Sequence, residues 1–244
     1  MKQWDHLEAE RVLDDQIKSW WFQGKRTVFD SLFRNQFAKD ALVLDVGAGQ
    51  GLFLNHLAPA GRLVAVDEWP PCLIRNRQRG GCPVVGDATH LPFATEKFDY
   101  LFALDVLEHL PDDQMAVKEW SRVIKKGGRL VLNVPALDCL WSKHDVQMGH
   151  YRRYNRAKLR TVVEAHGFVC ERLTYTNSFL FPLGWLSFHL NLHQGSNDNP
   201  EAHLRLPKPI EAMIKLFYSC EAAVLPRVNL PFGGSLVCIA QKRF

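Results

Sequence analysis

The stretch LVLDVGAGQGLFL, residues 42–54, decides the fold of this chain. An apolar run ends at Asp45 and Val46, and three glycines follow at alternate positions, Gly47, Gly49 and Gly51. A backbone without Cβ atoms can turn sharply there and lie against a ligand. The pattern therefore predicts a buried strand whose carboxyl end opens onto a bound small molecule.

Outward from this stretch, short apolar runs alternate with helical patterns, which is typical of a parallel sheet with crossover helices. Strands are predicted at residues 41–47, 62–68, 82–88, 97–104, 127–135, 167–177 and 233–243, and helices at residues 52–58, 70–79, 112–125 and 155–166. The predicted fold class is α/β: a Rossmann-like seven-stranded, mostly parallel sheet with helices on both faces and an antiparallel last strand.

The domain organisation predicted from this pattern has four parts. They are an N-terminal helical cap (residues 1–38), a cofactor-binding core (39–177), an apolar insertion covering the substrate side (178–232) and a closing strand of the core (233–244). A chain of 244 residues is long enough for one sizeable domain with such additions.

Composition restricts the location and the partners. The net charge of +4 is too small to argue for a nucleic-acid partner, and six cysteines without a CxxC pair indicate neither a zinc knuckle nor a disulfide framework. The N-terminus lacks the order of a secretory signal. We expect a cytoplasmic protein. The apolar residues 179–192 fall short of the ~20 residues that a membrane span needs, so they leave peripheral membrane contact as the alternative.

The glycine spacing distinguishes between two cofactors. Asp67 ends the next strand, 20 residues after Gly47, where a carboxylate can accept both hydroxyls of a ribose. A dinucleotide site has the spacing G-x-G-x-x-G, whereas this chain has G-x-G-x-G with Asp45 just before it. A carboxylate there would repel a pyrophosphate but suits a cationic amino-acid group. The pattern favours S-adenosylmethionine over NAD.

Four motifs in order, VLDVGAGQG, VAVDE, VGDATHLPF and FDYLFALDVLEHLPD, resemble the class I S-adenosylmethionine-dependent methyltransferases over residues 40–135. The resemblance implies a glycine loop on the methionine part of the cofactor, an acidic pair on the ribose, a contact at the adenine and an aspartate at the mouth of the substrate pocket. The cofactor-binding residues that it implies are Asp45, Gly47, Ala48, Gly49 and Gly51 at the methionine part, Asp67 and Glu68 at the ribose, Asp87 and Ala88 at the adenine, and Asp105 at the mouth of the pocket.

His109 is the first candidate for a catalytic base, because its unperturbed pKa of ~6.5 suits neutral pH. The alternative is a histidine that only hydrogen-bonds the start of a helix. The spacing D-x-x-E-H also resembles the E-x-x-E-H metal motif of ubiquinone-biosynthesis O-methyltransferases and small-RNA 2′-O-methyltransferases. That resemblance would place Mg²⁺ or Zn²⁺ at Glu108 with His144 or His150. Asp105 shortens the motif's first side chain by a methylene, and we assign no metal ligand from the sequence.

The segment WSKHDVQMGHYRRYNRAKL, residues 141–159, concentrates polar side chains just after the fifth predicted strand. His144 and His150 are further catalytic candidates. Two adjacent arginines beside tyrosines can bind an anion by paired hydrogen bonds, although salt bridges on a solvated face are the alternative. The predicted substrate-binding residues are Asp145, Arg152, Arg153 and Tyr154.

Together these features predict transfer of a methyl group from S-adenosylmethionine to an oxygen of an anionic small molecule, with S-adenosylhomocysteine as product. The segment at 141–159 and WWFQGKR at 20–26 are similar to bacterial methyltransferases met among proteins of cell-surface glycan and polyprenyl-linked lipid synthesis. The acceptor is therefore expected to be lipid-linked or glycan-related. The alternatives are a non-catalytic S-adenosylmethionine-binding module, a metal-assisted enzyme acting on RNA or quinone precursors, and an NAD-dependent oxidoreductase.

Overall fold

The computed structural model describes residues 19–33, 38, 40–51, 53, 62–78, 81–179, 181–182 and 207–243. The predicted helix at 52–58, apart from Phe53, lies outside the described residues, and so does most of the apolar stretch 179–192. The strands are β1 (Val43–Val46), β2 (Leu63–Asp67), β3 (Cys82–Val85), β4 (Phe98–Leu104), β5 (Ile124–Pro135), β6 (Phe168–Thr176) and β7 (Ser235–Lys242).

These strands form one seven-stranded sheet in the order β3-β2-β1-β4-β5-β7-β6. The pairs among β3, β2, β1, β4 and β5 are parallel, whereas β7 runs antiparallel to both β5 and β6. The predicted fold class, with an antiparallel last strand, is confirmed. From β1 the chain builds one side of the sheet through β2 and β3, and then crosses to β4 on the other side. Ligands bind at such a switch point in open α/β sheets.

The central strand β1 is buried over all four residues, and the neighbouring β4 contains the fully buried Phe98 and Leu101. Parallel strands are covered on both faces, so they read as nearly continuous apolar runs in the sequence. Asp45 is the one charged residue of this otherwise apolar strand, and it lies opposite Ala65 of β2 and Phe102 of β4. A carboxylate in this position calls for a functional explanation.

The described helices are α1 (Trp20–Phe33), α2 (Pro70–Gln78), α3 (Asp113–Val123), α4 (Lys143–Gln147), α5 (Arg156–Glu164) and α6 (Lys208–Val224). Asp112 caps α3 by accepting from the backbone N–H of Met115 at 2.9 Å. Residues at helical spacing then bury one face of α3, and among them Trp120 donates its ring N–H to the carbonyl of Ala88 at 2.9 Å. Helix α3 thereby holds the loop after β3 in place.

The chain divides into two units, Met1–Leu32 with Asn177–Val228 and Phe33–Thr176 with Asn229–Phe244. The second unit contains the sheet. In the first unit, the buried carboxylate of Glu221 on α6 accepts hydrogen bonds from the backbone N–H groups of Asn177, Ser178 and Phe179. None of the described helices is both long enough and apolar enough to cross a bilayer.

Candidate active site

The glycine loop at the carboxyl end of β1 has the conformation that its sequence predicts. Gly47, Gly49 and Gly51 have φ angles of +65°, +50° and +73°, which L side chains rarely adopt. A Cβ added to Gly47 would lie 2.4 Å from the Cγ2 atom of Val106. The backbone of the loop is therefore packed directly against the segment that follows β4.

Asp67, at the end of β2, holds the loop from the other side. Its carboxylate accepts from the backbone N–H of Gly49 through Oδ2 and from that of Trp69 through Oδ1, both at 2.9 Å. Carboxylate oxygens have several lone pairs, so Asp67 can accept from a ligand hydroxyl in addition. Glu68, the other predicted ribose contact, is exposed beside it. The neighbouring Trp69 is also an exposed aromatic side chain at this edge, and the sequence analysis did not single it out.

Asp45 is 5% exposed, and burial together with the nearby Asp67 raises its pKa well above the ordinary value. Two carboxylates that share a poorly solvated site disfavour each other's ionisation. A cation placed between them would relieve both the burial cost and the repulsion. The edge formed by β1 and β2 is therefore electrostatically suited to a positively charged group.

Asp87 and Ala88 follow β3 at the same edge of the sheet. Asp87 accepts from the backbone N–H of Thr89 at 2.7 Å and from its hydroxyl at 2.8 Å, and these hydrogen bonds lower the pKa of Asp87. Asp87 is exposed. The carbonyl of Ala88 accepts the hydrogen bond from Trp120. The groups of Ala88 that can contact a ligand are therefore its N–H and its methyl group.

Asp105 directly follows β4 and has the left-handed conformation, with φ +58°. Its N–H donates to the carbonyl of Asn133 at 2.8 Å, and the side-chain amide of Asn133 donates to its carboxylate. Asn133 is fully buried in β5 and fixes the direction of Asp105. Asn133 was not predicted as a site residue from the sequence, although a polar residue within the apolar run LVLNVP was the available signal.

Glu108, His109 and His150 come together beyond Asp105. Glu108 and His109 lie in a short 3-10 turn, Leu107–His109, and the N–H of Tyr151 donates to the carbonyl of Glu108 at 2.8 Å. The two imidazole rings have centroids 4.7 Å apart at an interplanar angle of 79°. Burial and His150 lower the pKa of His109. His144, the third catalytic candidate, is exposed on α4 and lies outside this cluster.

Asp145 is fully buried and organises the segment after β5. Its carboxylate accepts from Arg153 at 2.8 and 2.9 Å, from His150 Nδ1 at 2.9 Å and from the N–H of Ser142 at 2.9 Å. Burial opposes its ionisation, but the hydrogen bonds from Arg153 and His150 outweigh burial and lower its pKa to about 2. Asp145 is thus an internal counter-charge, and we no longer assign it to the substrate.

The predicted anion-binding arginines also have internal partners. Arg152 donates to the carbonyls of Leu110 and Pro111 and lies 3.3 Å from the carboxylate of Asp113, while Arg153 adds a bond to the carbonyl of Ala136 at 3.1 Å. Tyr154 is fully buried and donates its hydroxyl to Asp113 at 2.9 Å. Arg152 and Tyr154 therefore bind groups of the segment that follows β4, so Tyr154 is also withdrawn from the acceptor contacts.

The fold defines a class of protein: a doubly wound α/β domain, in which ligands bind at the carboxyl ends of the strands, where β1, β2 and β3 end here. Comparison with known proteins makes the class specific. Residues 44–132 match the family described as a methyltransferase domain. The matched residues include the glycine loop, Asp67, Asp87 and Asp105, and the match agrees with the resemblance of the four motifs to class I S-adenosylmethionine-dependent methyltransferases.

Three similar proteins illustrate the relationship. A probable S-adenosylmethionine-dependent methyltransferase of Mycobacterium tuberculosis is 28% identical over 169 residues, which cover 67% of this chain and 61% of that protein. A demethylmenaquinone methyltransferase of Mycobacterium marinum is 40% identical over 91 residues, 37% of this chain and 39% of that protein. A putative methyltransferase of Haloferax volcanii, solved with the Trm112 methyltransferase activator, has a TM-score of 0.64 at 17% identity, covering 96% and 95% of the two chains.

Proposed function

We propose that this protein transfers the methyl group of S-adenosylmethionine to an oxygen of a small-molecule acceptor. The observation that carries this proposal is the packing of Gly47 against Val106, two residues before Glu108. It connects the cofactor loop with the segment that bears His109. The methyl donor and the group that handles the acceptor's proton therefore belong to neighbouring parts of one site.

Each part of the cofactor has a proposed partner on the sheet edge. Asp45 would offset the positive amino group of the methionine part, and the Gly47–Gly51 loop, with Ala48, would lie along it. Asp67, with Glu68, would accept the ribose hydroxyls, while Asp87 and Ala88 would contact the adenine. Asp105, held by Asn133, would mark the boundary between the cofactor and the acceptor.

The proton of an acceptor hydroxyl is the main chemical demand on the protein, because the sulfonium is already activated and alignment supplies much of the rate. His150 Nδ1 lies 2.9 Å from Asp145 Oδ1, which fixes the ring and leaves Nε2 as the acceptor in the neutral imidazole. His109 lies against that ring. We therefore place the acceptor hydroxyl at this pair of imidazoles.

The acceptor we propose carries a hydroxyl on an apolar frame. Val146, Met148 and Tyr151 are all well exposed in the segment that bears His150. Apolar side chains flanking a few polar groups are typical of small-molecule sites. The lipid-linked acceptor expected from the sequence fits this surface. The anionic character expected from Arg152 and Arg153 no longer has their support, because both guanidiniums bind the protein itself.

The proposed reaction is tested by supplying S-adenosylmethionine labelled in its methyl group and a panel of isoprenoid alcohols, phenols and quinols. We expect a labelled methoxyl product, identified by NMR, and an equal amount of S-adenosylhomocysteine. His150→Gln should lower kcat roughly 100-fold, the lower range for loss of an acid-base group, without changing cofactor affinity. His166→Gln, outside the cluster, is the matched control. Label on nitrogen or carbon, or full activity of His150→Gln, would contradict the proposal.

Cofactor binding should weaken as the pH is lowered. Because the pKa of Asp45 is raised, this carboxylate takes up a proton at a higher pH than a free aspartate does, and it then no longer offsets the cofactor's amino group. Asp45→Asn should bind S-adenosylhomocysteine more weakly and with less dependence on pH. Calorimetric titrations over a pH series measure both effects.

The exposed Asp40, paired only loosely with Arg62 at 3.9 Å, provides the control for this experiment. Asp40→Asn should follow the wild-type pH dependence throughout. An affinity that stays constant with pH in the wild type, or an Asp45→Asn variant indistinguishable from it, would remove Asp45 from the cofactor site.

A further inference from the structure

Helix α6 (Lys208–Val224) presents an apolar face to solvent. Its exposed apolar side chains are Ile210, Met213, Leu216 and Val224. Leu216, at the middle of the helix, keeps 61% of its surface exposed. Single exposed apolar residues are normal on a protein surface, but at 3.6 residues per turn these four lie on the same side of one helix. Other exposed residues on this side, all uncharged, include Pro209, Ala212, Ser219, Cys220 and Ala223. The α6 apolar face therefore runs along most of the helix without a charged residue.

The opposite side of α6 is held within the protein. Ile214, Tyr218 and Glu221 are buried there at helical spacing. The ring of Tyr218 packs against Gly24 of α1 so closely that a Cβ on Gly24 would collide with it. The carboxylate of Glu221 accepts three backbone N–H groups of the chain that follows β6. These contacts fix which side of α6 points outward, so the apolar face cannot turn inward without breaking them.

The exposed charges of α6 and of the turn that follows it are positive. Lys208 and Lys215 are seven residues apart, which places them one above the other along one border of the apolar face. Arg227, just beyond the helix, is exposed as well. The acidic residues of α6 are Glu211, which is partly exposed towards the packed side, and Glu221, which is buried and hydrogen-bonded. The apolar face therefore has a basic border.

We propose that the α6 apolar face docks on the surface of an anionic lipid bilayer. A helix lying in the plane of the interface buries its apolar side chains below the headgroups. Lysines at its border keep their ammonium groups among the lipid phosphates while their methylene chains cover apolar surface. Met213 and Leu216 lie near the middle of the exposed side and would enter the bilayer furthest. The surface thus matches an anionic membrane in polarity and in charge.

The charge pattern disfavours a second copy of this chain as the partner. In a two-fold symmetric dimer the same helix face meets itself. Lys215 is next to Leu216 at the centre of α6, so pairing of the two helices about their centres would bring both copies of Lys215 together. Like charges in contact are destabilising, and the apolar face supplies no acidic residue to offset them. Anionic headgroups supply that missing charge.

The test is flotation of the full chain with vesicles in the absence of cofactor and acceptor, so its result does not depend on the proposed methyl transfer. We expect binding to vesicles of equal parts phosphatidylcholine and phosphatidylglycerol, and much weaker binding to phosphatidylcholine alone. Added salt should weaken binding to the anionic vesicles, because it screens the lysines.

Cys220 reports the contact directly, because it is exposed on the α6 apolar face. A charged, water-soluble maleimide should label Cys220 readily in the free protein and much more slowly once anionic vesicles are added. Cys82, exposed on β3, is the control within the same molecule and should keep its labelling rate. Peptide mass spectrometry distinguishes the two sites.

Removal of apolar area tests the hydrophobic part of the surface. Met213→Ser combined with Leu216→Ser should weaken vesicle binding at least about tenfold, because less apolar surface leaves water. Ile74→Ser, an exposed apolar position on α2, is the matched control and should bind like the wild type. Circular dichroism shows that the variants are folded, as expected for substitutions at exposed positions.

Charge reversal tests the basic border. Lys208→Glu combined with Lys215→Glu should weaken binding to the anionic vesicles at least about tenfold and should reduce its dependence on salt. Lys126→Glu, at an exposed position between α3 and the pairing region of β5, is the matched control. It changes the net charge in the same direction and should leave vesicle binding nearly unchanged.

Absence of binding to anionic vesicles would overturn the proposal, and so would binding that both α6 double variants leave unchanged. Slow labelling of Cys220 before vesicles are added would overturn it as well, because the face would then be covered within the protein. Dimers detected by sedimentation and abolished by Leu216→Ser would assign the face to a second copy instead. Vesicle binding without methyl transfer to any acceptor would keep the docking surface and contradict only the proposed function.

Discussion

Replacing Gly47 with alanine is expected to weaken S-adenosylhomocysteine binding at least about 100-fold, which corresponds to roughly 3 kcal/mol. The left-handed conformation alone costs an alanine about 1–2 kcal/mol. The new Cβ would also lie 2.4 Å from Val106 Cγ2, and Val106 is itself buried. The loop must therefore move away from the cofactor. Calorimetric titration with S-adenosylhomocysteine measures the loss directly.

Gly127→Ala is the matched control for this prediction. Gly127 has φ +76°, but an added Cβ would meet nothing within 4 Å, and the residue lies near the start of β5, whereas the cofactor edge is at the carboxyl ends of the strands. We expect about 1 kcal/mol of lost stability and an unchanged affinity. Equal losses of affinity in the two variants, or wild-type binding by Gly47→Ala, would show that the loop does not contact the cofactor.

Arg153→Ala is expected to lower the free energy of unfolding by about 3–5 kcal/mol, because removing one partner leaves a buried charge uncompensated. Asp145 is fully buried, and Arg153 supplies two of its hydrogen bonds. Urea denaturation measures the change. A substrate-binding Arg153, which the sequence predicted, would instead raise the KM for the acceptor and leave that for the cofactor unchanged.

Arg160→Ala provides the comparison. Arg160 forms an exposed pair with Glu164 at 3.9 Å on α5, and exposed pairs contribute about 0–1 kcal/mol. An Arg153→Ala variant that is as stable as Arg160→Ala, with a raised KM for the acceptor, would restore Arg153 as a substrate-binding residue.

The cofactor side of the protein could be read from its sequence because local rules determine it. Glycines at alternate positions permit the positive φ angles that Gly47, Gly49 and Gly51 have here, and the apolar run before them has to be buried. Asp67 could be assigned because it ends the next apolar run, 20 residues after Gly47. These constraints act over short stretches of chain, so the order of the motifs was sufficient to predict the sheet.

The acceptor side was less predictable because its polar groups pair across long separations. Arg153 and Asp145 are both in a polar segment, and nothing in their spacing tells whether they face each other or a ligand. His144 and His150 were equivalent candidates in the sequence, and only the fold brings His150 to His109. Asn133 lies in an otherwise apolar strand, and its partner Asp105 is 28 residues away in the sequence. Their pairing could therefore not be predicted from local patterns.

The most direct test of the central claim is calorimetric titration of the wild-type chain with S-adenosylhomocysteine and, separately, with NADH, in metal-stripped and Zn²⁺-loaded protein. The account predicts one S-adenosylhomocysteine site per chain with an affinity in the micromolar range, and no binding of NADH. Binding of NADH, or the absence of S-adenosylhomocysteine binding in both metal states, would contradict the assignment of the glycine loop and Asp67 to this cofactor.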